Sequence, residues 1–349
     1  MPSHAAPSPN MRPLHALLLT AALAGVDISG ADVALPSIDA RAALRGDLAE
    51  LAAFDKGMRE YGFVTLHNVT AGSAAVGLDE AARTFFRLPL EAKMRRNEAA
   101  AYGAAGGYTP PGVESVARTS SGAAAPPDPV ENIVWRSPPD PVGAFEAAGA
   151  EYWSDMASAL EAVHAIAAAA LGLEADVFAK HYAADAGSLR LAYYPPSPTR
   201  ARTRYGAHTD YQGFTLLTPD AEVGGLEVQA ADGTWVPVAA PPLGSGALVV
   251  NAGDLIEVWT NGRWRSALHR VVGEPDAVAV YATAEEVVPA AAELERLSLV
   301  FFSGPRDDVL VEPLPLPAEG PPEGGRAPLR FEPVVAGAWL RAKLAQSNV

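Results

Sequence analysis

Apolar residues recur at three- and four-residue intervals in three stretches, 41–61, 73–87 and 151–171, the repeat of helices that bury one face. Gly172 follows the third stretch as a stop signal. Residues 102–145 are rich in Gly, Pro, Ser and Ala and read as irregular loop. From about residue 188 the repeat changes to alternation. SLRLAYY (188–194), GFTLLT (213–218), GLEVQA (225–230), TWVPV (234–238), ALVVN (247–251), SALHRVV (266–272) and LSLVFFS (297–303) are short, turn-bounded strand patterns. Asp232-Gly233 is a hairpin turn between two of them. Many short strands at this spacing predict a β-sandwich or barrel, with a jelly roll among the solutions. Residues 336–346 return to a helical pattern. The expected class is α+β, with helices around a β-core and no internal repeat.

Residues 1–34 stand apart. Arg12 precedes the apolar run 14–26, and Ala22-Leu23-Ala24 resembles a small-residue cleavage site, the layout of a targeting segment. The alternatives are a short helix or an overlong gene start with Met11 as a second initiator. The run is shorter than the roughly 20 residues that span a bilayer, so no stable membrane insertion is expected. A cytoplasmic location is the expectation, replaced by export or organelle targeting if this segment is cleaved. In an exported chain, Asn68-Val69-Thr70 would be a formal glycosylation sequon.

Composition narrows the chemistry. The 349 residues include no Cys, which excludes disulfides, zinc fingers, iron–sulfur clusters and thiol nucleophiles. Any metal must be held by His and carboxylates. A net charge of −15 disfavours nucleic acid and anionic membrane as partners. The abundance of Ala and the preference for Arg over Lys mark a compositional bias and carry little structural information. Monomer is the default expectation.

Of the seven histidines, His4 and His15 lie in the N-terminal segment, and His67, His164 and His181 lack a carboxylate or His partner arranged like a metal site. His208 differs, because Asp210 follows in YGAHTDYQGFTLL and residues i and i+2 of an extended segment project to one side. An HxD pair needs a third ligand, and His269 in SALHRVV lies on another expected strand. Two imidazoles and a carboxylate form the facial set associated with Fe(II) and dioxygen, and they also suit catalytic zinc. A second constellation, Arg296-Leu297-Ser298, places a guanidinium fork beside a hydroxyl on one strand face, a pairing suited to a carboxylate. Taken alone, it reads rather as an edge-strand arginine paired with a surface glutamate.

Together these motifs resemble the isopenicillin N synthase-like branch of the Fe(II)/2-oxoglutarate-dependent dioxygenases. LPSIDARAAL (35–44) resembles the family's opening strand, YGFVTLHNV (61–69) its next strand, and ARTFFRLPLEAKMR (82–95) its signature helix end. RLAYYPPSP (190–198), HTDYQGFTLL, GGLEV, NAGDLIEVWTNGRWRSALHRV, RLSLVFF and AGAWLRAKL follow in the family's order. The resemblance spans roughly 35–349 and implies a double-stranded β-helix, or jelly roll, wrapped by helices. It divides the chain into an extension at 1–34, a mainly helical region at 35–187 and a jelly-roll catalytic core with its C-terminal helix at 188–349. It further implies that His208, Asp210 and His269 bind Fe(II). Arg296 and Ser298 would grip the distal carboxylate of 2-oxoglutarate, and Tyr194 would add a phenol hydrogen bond. Such an enzyme consumes dioxygen and 2-oxoglutarate, releases succinate and CO2, and hydroxylates, desaturates or cyclises a small-molecule substrate. No catalytic residue beyond the metal ligands is required, and the carboxylate at Asp210 disfavours halogenation. The competing readings are a same-fold iron oxidase that does not use 2-oxoglutarate and a non-catalytic jelly-roll binding protein.

Two positions depart from the family pattern. Ala192 stands where relatives carry an Asn near the iron-binding end of the co-substrate, and Arg296 follows His269 by 27 positions where about ten is usual. The excess, 273–294, reads as an extended hairpin or as a lid over the cavity. Arg200, Arg202 and Arg204 form a basic stretch before His208, either a solvated loop or a device that steers an anionic substrate.

Overall fold

Asp39 and Asp47 start the first two helices by accepting backbone N–H groups of their opening turns, Asp39 from Ala42 and Asp47 from Ala49 and Glu50. Strand β1 (Ser37–Asp39) leads into α1 (Ala40–Leu44), and α2 (Leu48–Glu60) follows. The helical pattern at 41–61 is therefore broken, because Gly46 between them takes a positive φ of 84° and Asp47 caps a new helix. The computed structural model describes residues 35–95, 106–117, 126–183, 187–196, 203–273, 294–316 and 329–347. The proposed targeting segment at 1–34 and nearly all of the 273–294 insertion lie outside these described residues.

The remaining elements are β2 (Phe63–His67), α3 (Ser73–Phe86), α4 (Leu90–Met94), β3 (Gly106–Thr109), β4 (Glu131–Trp135) and α5 (Ala144–Ala170). Then come β5 (Ser188–Tyr194), β6 (Thr203–His208), β7 (Phe214–Thr218), β8 (Leu226–Gln229), β9 (Trp235–Pro237), β10 (Leu248–Ala252) and α6 (Asp254–Trp259). The described chain closes with β11 (His269–Val272), β12 (Arg296–Phe302), the small pair β13 (Leu310–Val311) and β14 (Val334–Val335), and α7 (Ala336–Ser347).

Eight strands form one sheet in the order β1-β2-β10-β7-β12-β5-β4-β3, and four form a second in the order β6-β11-β8-β9. The sheets bury their facing sides against each other: Phe63, Leu217 and Val249 of the first meet Leu226, Val228 and Val236 of the second. A second contact joins Val130, Ala192 and Tyr194 to Val271. The outer face of the large sheet packs on the helices, with Phe54, Leu78, Met156 and Val163 among the fully or nearly fully buried side chains. Each such apolar side chain contributes roughly 1.5–3 kcal/mol by leaving water. This is the jelly roll wrapped by helices, and its interior between the sheets holds the site.

The expected β8–β9 hairpin forms around Asp232-Gly233, with Gly233 at a φ of 88° and Val228 opposite Val236. Several elements differ from the sequence expectation. β3 and β4 lie inside the stretch read as irregular loop, and with β1 and β2 they extend the large sheet, so the region before residue 187 is not purely helical. The alternation in β4 is hidden because Glu131 and Asn132, both polar, are buried there. β6, α6 and the pair β13 and β14 are not among the expected elements.

Candidate active site

His208 and His269 are direct partners across the antiparallel β6–β11 ladder, with ring centroids 4.2 Å apart. Asp210 lies two residues past His208, just beyond the end of β6, and turns back to the same point. Its Oδ1 is 3.9 Å from His208 Nε2 and 3.7 Å from His269 Nε2. One ligand atom of each of the three buried residues falls within 4.8 Å of the others.

The surroundings set each donor. His208 Nδ1 lies 2.9 Å from the Gly206 carbonyl and His269 Nδ1 3.2 Å from the Ala267 carbonyl. A carbonyl only accepts, so both Nδ1 atoms carry the proton and both Nε2 lone pairs face Asp210. Asp210 Oδ2 accepts from Thr215 Oγ1 at 2.6 Å and Asn251 Nδ2 at 2.7 Å, which leaves Oδ1 facing the imidazoles. Burial, and next the neighbouring His269, hold the His208 imidazole well below its usual pKa, in its neutral form. For Asp210, burial acts to raise the pKa, but His269, His208, Asn251 and Thr215 together outweigh it and keep the carboxylate ionised. One imidazole nitrogen from each histidine and a carboxylate oxygen converge on one point, where a single cation can use all three lone pairs. Two imidazoles and a carboxylate, each held by its own hydrogen bonds, suit Fe(II).

Arg296 is 1% exposed and Ser298 4%. The Arg296 Nε donates to the Gly224 carbonyl at 2.6 Å and Nη1 to Ser298 Oγ at 2.6 Å. Tyr194 is opposite Arg296 in the β5–β12 register, and the guanidinium carbon stands 5.1 Å from its ring centroid. Among the described residues no carboxylate forms an ion pair with Arg296. Burial lowers its pKa from the usual arginine value, with Tyr194 and Asp220 opposing the shift. A buried guanidinium without a carboxylate is costly, so this pocket suits a carboxylate ligand. The edge-strand surface pairing considered for Arg296 does not occur.

Ala192 lies between Ser298 on β12 and Asn132 on β4, directly opposite both, so these three side chains share the inner face of the large sheet. The position where the family pattern places an amide therefore carries only a methyl group, and the Asn132 amide belongs to the neighbouring strand. Arg204 is 2% exposed and donates through Nη2 to the Tyr194, Pro195 and Leu294 carbonyls, so it neither lies on a solvated loop nor faces outward to steer a substrate. Arg200 and Arg202 are outside the described residues. His67 is exposed at the end of β2, His164 is buried in α5 and His181 sits on a short 3-10 turn; none reaches the triad. Sequence reasoning missed Thr215 and Asn251, whose only signal was a polar residue at a buried strand position.

Residues 186–305 match the 2OG-Fe(II) oxygenase superfamily, and residues 35–150 match the family described as non-haem dioxygenase in morphine synthesis N-terminal. Gibberellin 20 oxidase 2 of Oryza sativa subsp. indica is 32% identical over 306 residues, covering 82% of this chain and 72% of that protein. Among solved structures, a full-length Neurospora crassa protein in complex with alpha-KG (2-oxoglutarate) and thymine aligns with a TM-score of 0.68 at 26% identity, covering 89% of this chain and 96% of that one. A 2OG-Fe(II) oxygenase family protein from Caulobacter crescentus aligns with a TM-score of 0.69 at 29% identity, covering 89% and 98%. The chain belongs to the 2OG-Fe(II) oxygenase superfamily. It is an oxidoreductase of the non-haem Fe(II)- and 2-oxoglutarate-dependent dioxygenase class, with Fe(II) as its metal and 2-oxoglutarate and O2 as co-substrates.

Proposed function

We propose that His208, Asp210 and His269 hold the iron, and that Arg296, Ser298 and Tyr194 grip the distal carboxylate of 2-oxoglutarate. The enzyme then oxidises a small molecule, with hydroxylation as the main outcome and desaturation or ring closure available from the same site. Bound iron supplies the redox chemistry that couples dioxygen to the decarboxylation of 2-oxoglutarate, releasing succinate and CO2. The protein's part is orientation and shelter. The Gly206 and Ala267 carbonyls aim the two Nε2 atoms, and Thr215 and Asn251 fix the Asp210 carboxylate. Phe63 stands edge-on to His269 at 5.3 Å and Tyr205 to His208 at 4.9 Å, and the two rings keep water from the backs of the imidazoles. The Gly224 carbonyl and Ser298 take up two of the Arg296 donors and set the plane of the guanidinium, whose terminal nitrogens are then oriented to bind a carboxylate.

The carrying observation is that one interior holds both features: three converging lone-pair donors, and a buried guanidinium that no carboxylate among the described residues pairs with. We also read the enzyme as a cytoplasmic monomer. Among the described residues no helix is long and apolar enough to cross a membrane.

Succinate release tests the reading. The iron-loaded protein should form succinate from 2-oxoglutarate under air, slowly without substrate. Arg296→Leu should cut that rate at least about 10-fold at low 2-oxoglutarate, as expected for a lost charge-assisted contact, while metal affinity is unchanged. Absence of both succinate release and 2-oxoglutarate binding would refute it.

A further inference from the structure

The inner face that carries Ser298 and Tyr194 continues across β5 and β4, where it presents Arg190 and Asn132. Glu114 ties these two together. Its Oε2 accepts from Arg190 Nη2 at 2.7 Å and its Oε1 from Asn132 Nδ2 at 3.2 Å. The group lies beside the metal ligands, because the Arg190 guanidinium stands 5.1 Å from the Tyr205 ring, which in turn is 4.9 Å from the His208 ring. Asn132 is fully buried, yet its Oδ1 has no hydrogen-bond partner among the described residues. Because Nδ2 is engaged by Glu114, the amide is held with its oxygen outward from that contact. Arg190 spends one N–H donor on Glu114, and its Nε and Nη1 have no partner among the described residues. A buried acceptor left unpaired is costly in a folded protein, so it marks a place where a ligand brings a donor.

We propose that Arg190 and Asn132, braced by Glu114, form the substrate-recognition site, and that it takes a neutral molecule presenting a C=O beside an N–H: an amide, lactam or imide. The proposal rests on the dioxygenase reading above, which supplies the reacting centre next to it. Arg190 donates to the substrate carbonyl and Asn132 Oδ1 accepts from the substrate N–H. Charge argues against a carboxylate substrate. The positive charge of Arg190 is already matched by Glu114, and Asp128 adds a second carboxylate on the same side of the barrel, holding the Val116 and Gly206 N–H groups. A substrate anion would enter a space whose fixed charge is balanced or negative. A cation is not favoured either, since Glu114 is already engaged by Arg190 and Asn132, and Asp128 by two backbone N–H groups.

Calorimetry on the Co(II)-substituted protein tests this without turnover. 2-Oxoglutarate is titrated first, and its binding checks the dioxygenase reading by itself. Thymine, uracil, succinimide and 2-pyrrolidinone are then titrated against phenylacetate and benzoate. At least one neutral amide or imide should bind, and at least about 10-fold more tightly than either acid, the discrimination expected when a wrong ligand leaves buried polar groups unpaired. Asn132→Leu, which keeps the branched shape of the side chain and removes the acceptor together with the donor to Glu114, should weaken that ligand about 10- to 100-fold while changing 2-oxoglutarate affinity less than about 2-fold. Arg190→Lys, which retains the charge opposite Glu114, should weaken it in the same direction. If 2-oxoglutarate binds but the acids bind more tightly, or no amide or imide binds, or Asn132→Leu leaves the preferred ligand's affinity unchanged, the proposal is overturned.

Discussion

His208 and His269 face each other across a single strand pair, so a change in the β6–β11 register by one residue would turn one of them out of the site. The third donor has no such ladder to hold it. Asp210 follows the end of β6 and depends on Thr215 and Asn251 for its orientation. Asn251→Ala should therefore lower Fe(II) or Co(II) affinity by about 10- to 100-fold, the usual effect of removing such a support. Metal titration of the folded variant checks this, and an unchanged affinity would show that Asp210 orients without Asn251.

The proposed grip on the co-substrate is braced from helix α3. Asp220 Oδ2 accepts from Arg83 at 2.9 Å and from the Leu297 N–H at 3.1 Å, and Oδ1 accepts the Glu222 and Val223 N–H groups just before Gly224. Gly224 is the residue whose carbonyl holds Arg296. Arg83→Ala should raise the KM for 2-oxoglutarate several-fold and leave kcat nearly unchanged, because it loosens a binding group and not the reacting centre. Equal losses in kcat and kcat/KM would contradict this.

Two glycines with positive φ separate backbone strain from collision. Gly233 (φ 88°) faces open space, whereas a Cβ on Gly225 (φ 84°) would run into the Val272 carbonyl oxygen. Gly233→Ala should cost about 1–2 kcal/mol, the left-handed penalty alone. Gly225→Ala should cost more, about 3 kcal/mol or above, since β8 and β11 must separate. Urea unfolding of both variants decides, and equal costs would contradict the account.

Acid should weaken the fold through His164. This histidine is 3% exposed, lies 4.4 Å from the Tyr182 ring, and burial pushes its pKa down to about 4. An unfolded histidine titrates near 6.5, so below that pH the unfolded chain takes up a proton that the folded chain refuses. The associated stability is complete above pH 6.5 and is lost progressively as pH falls toward 4, by up to about 3 kcal/mol. His164→Phe should flatten the stability–pH curve between pH 6.5 and 4. An unchanged slope would remove His164 as its cause.

What the sequence made legible follows from how local each signal is. His208-x-Asp210 and Arg296-x-Ser298 are pairs two apart on one extended segment, and the alternation from residue 188 onward locates their strands. Long-range constellations leave no such mark. Glu114, Asn132 and Arg190 meet only because β4 pairs with β5, and the buried polar residues Glu131 and Asn132 hide β4 in the alternation pattern. Arg204 reads as part of a basic surface stretch because sequence does not show that three carbonyls turn it inward. The break between α1 and α2 is written as Gly46-Asp47, but the helical spacing of its neighbours masks it.

The most direct test of the central claim is an anaerobic titration of the metal-free protein with Fe(II) and then 2-oxoglutarate, followed by visible absorption. One Fe(II) should bind per chain, and 2-oxoglutarate should then produce the weak charge-transfer band of its chelate. Asp210→Ala should lose most of the iron affinity, and Arg296→Leu should keep it but require far more 2-oxoglutarate for the same band. Iron binding that survives Asp210→Ala unchanged, or a band indifferent to Arg296→Leu, would contradict the assignment of these residues.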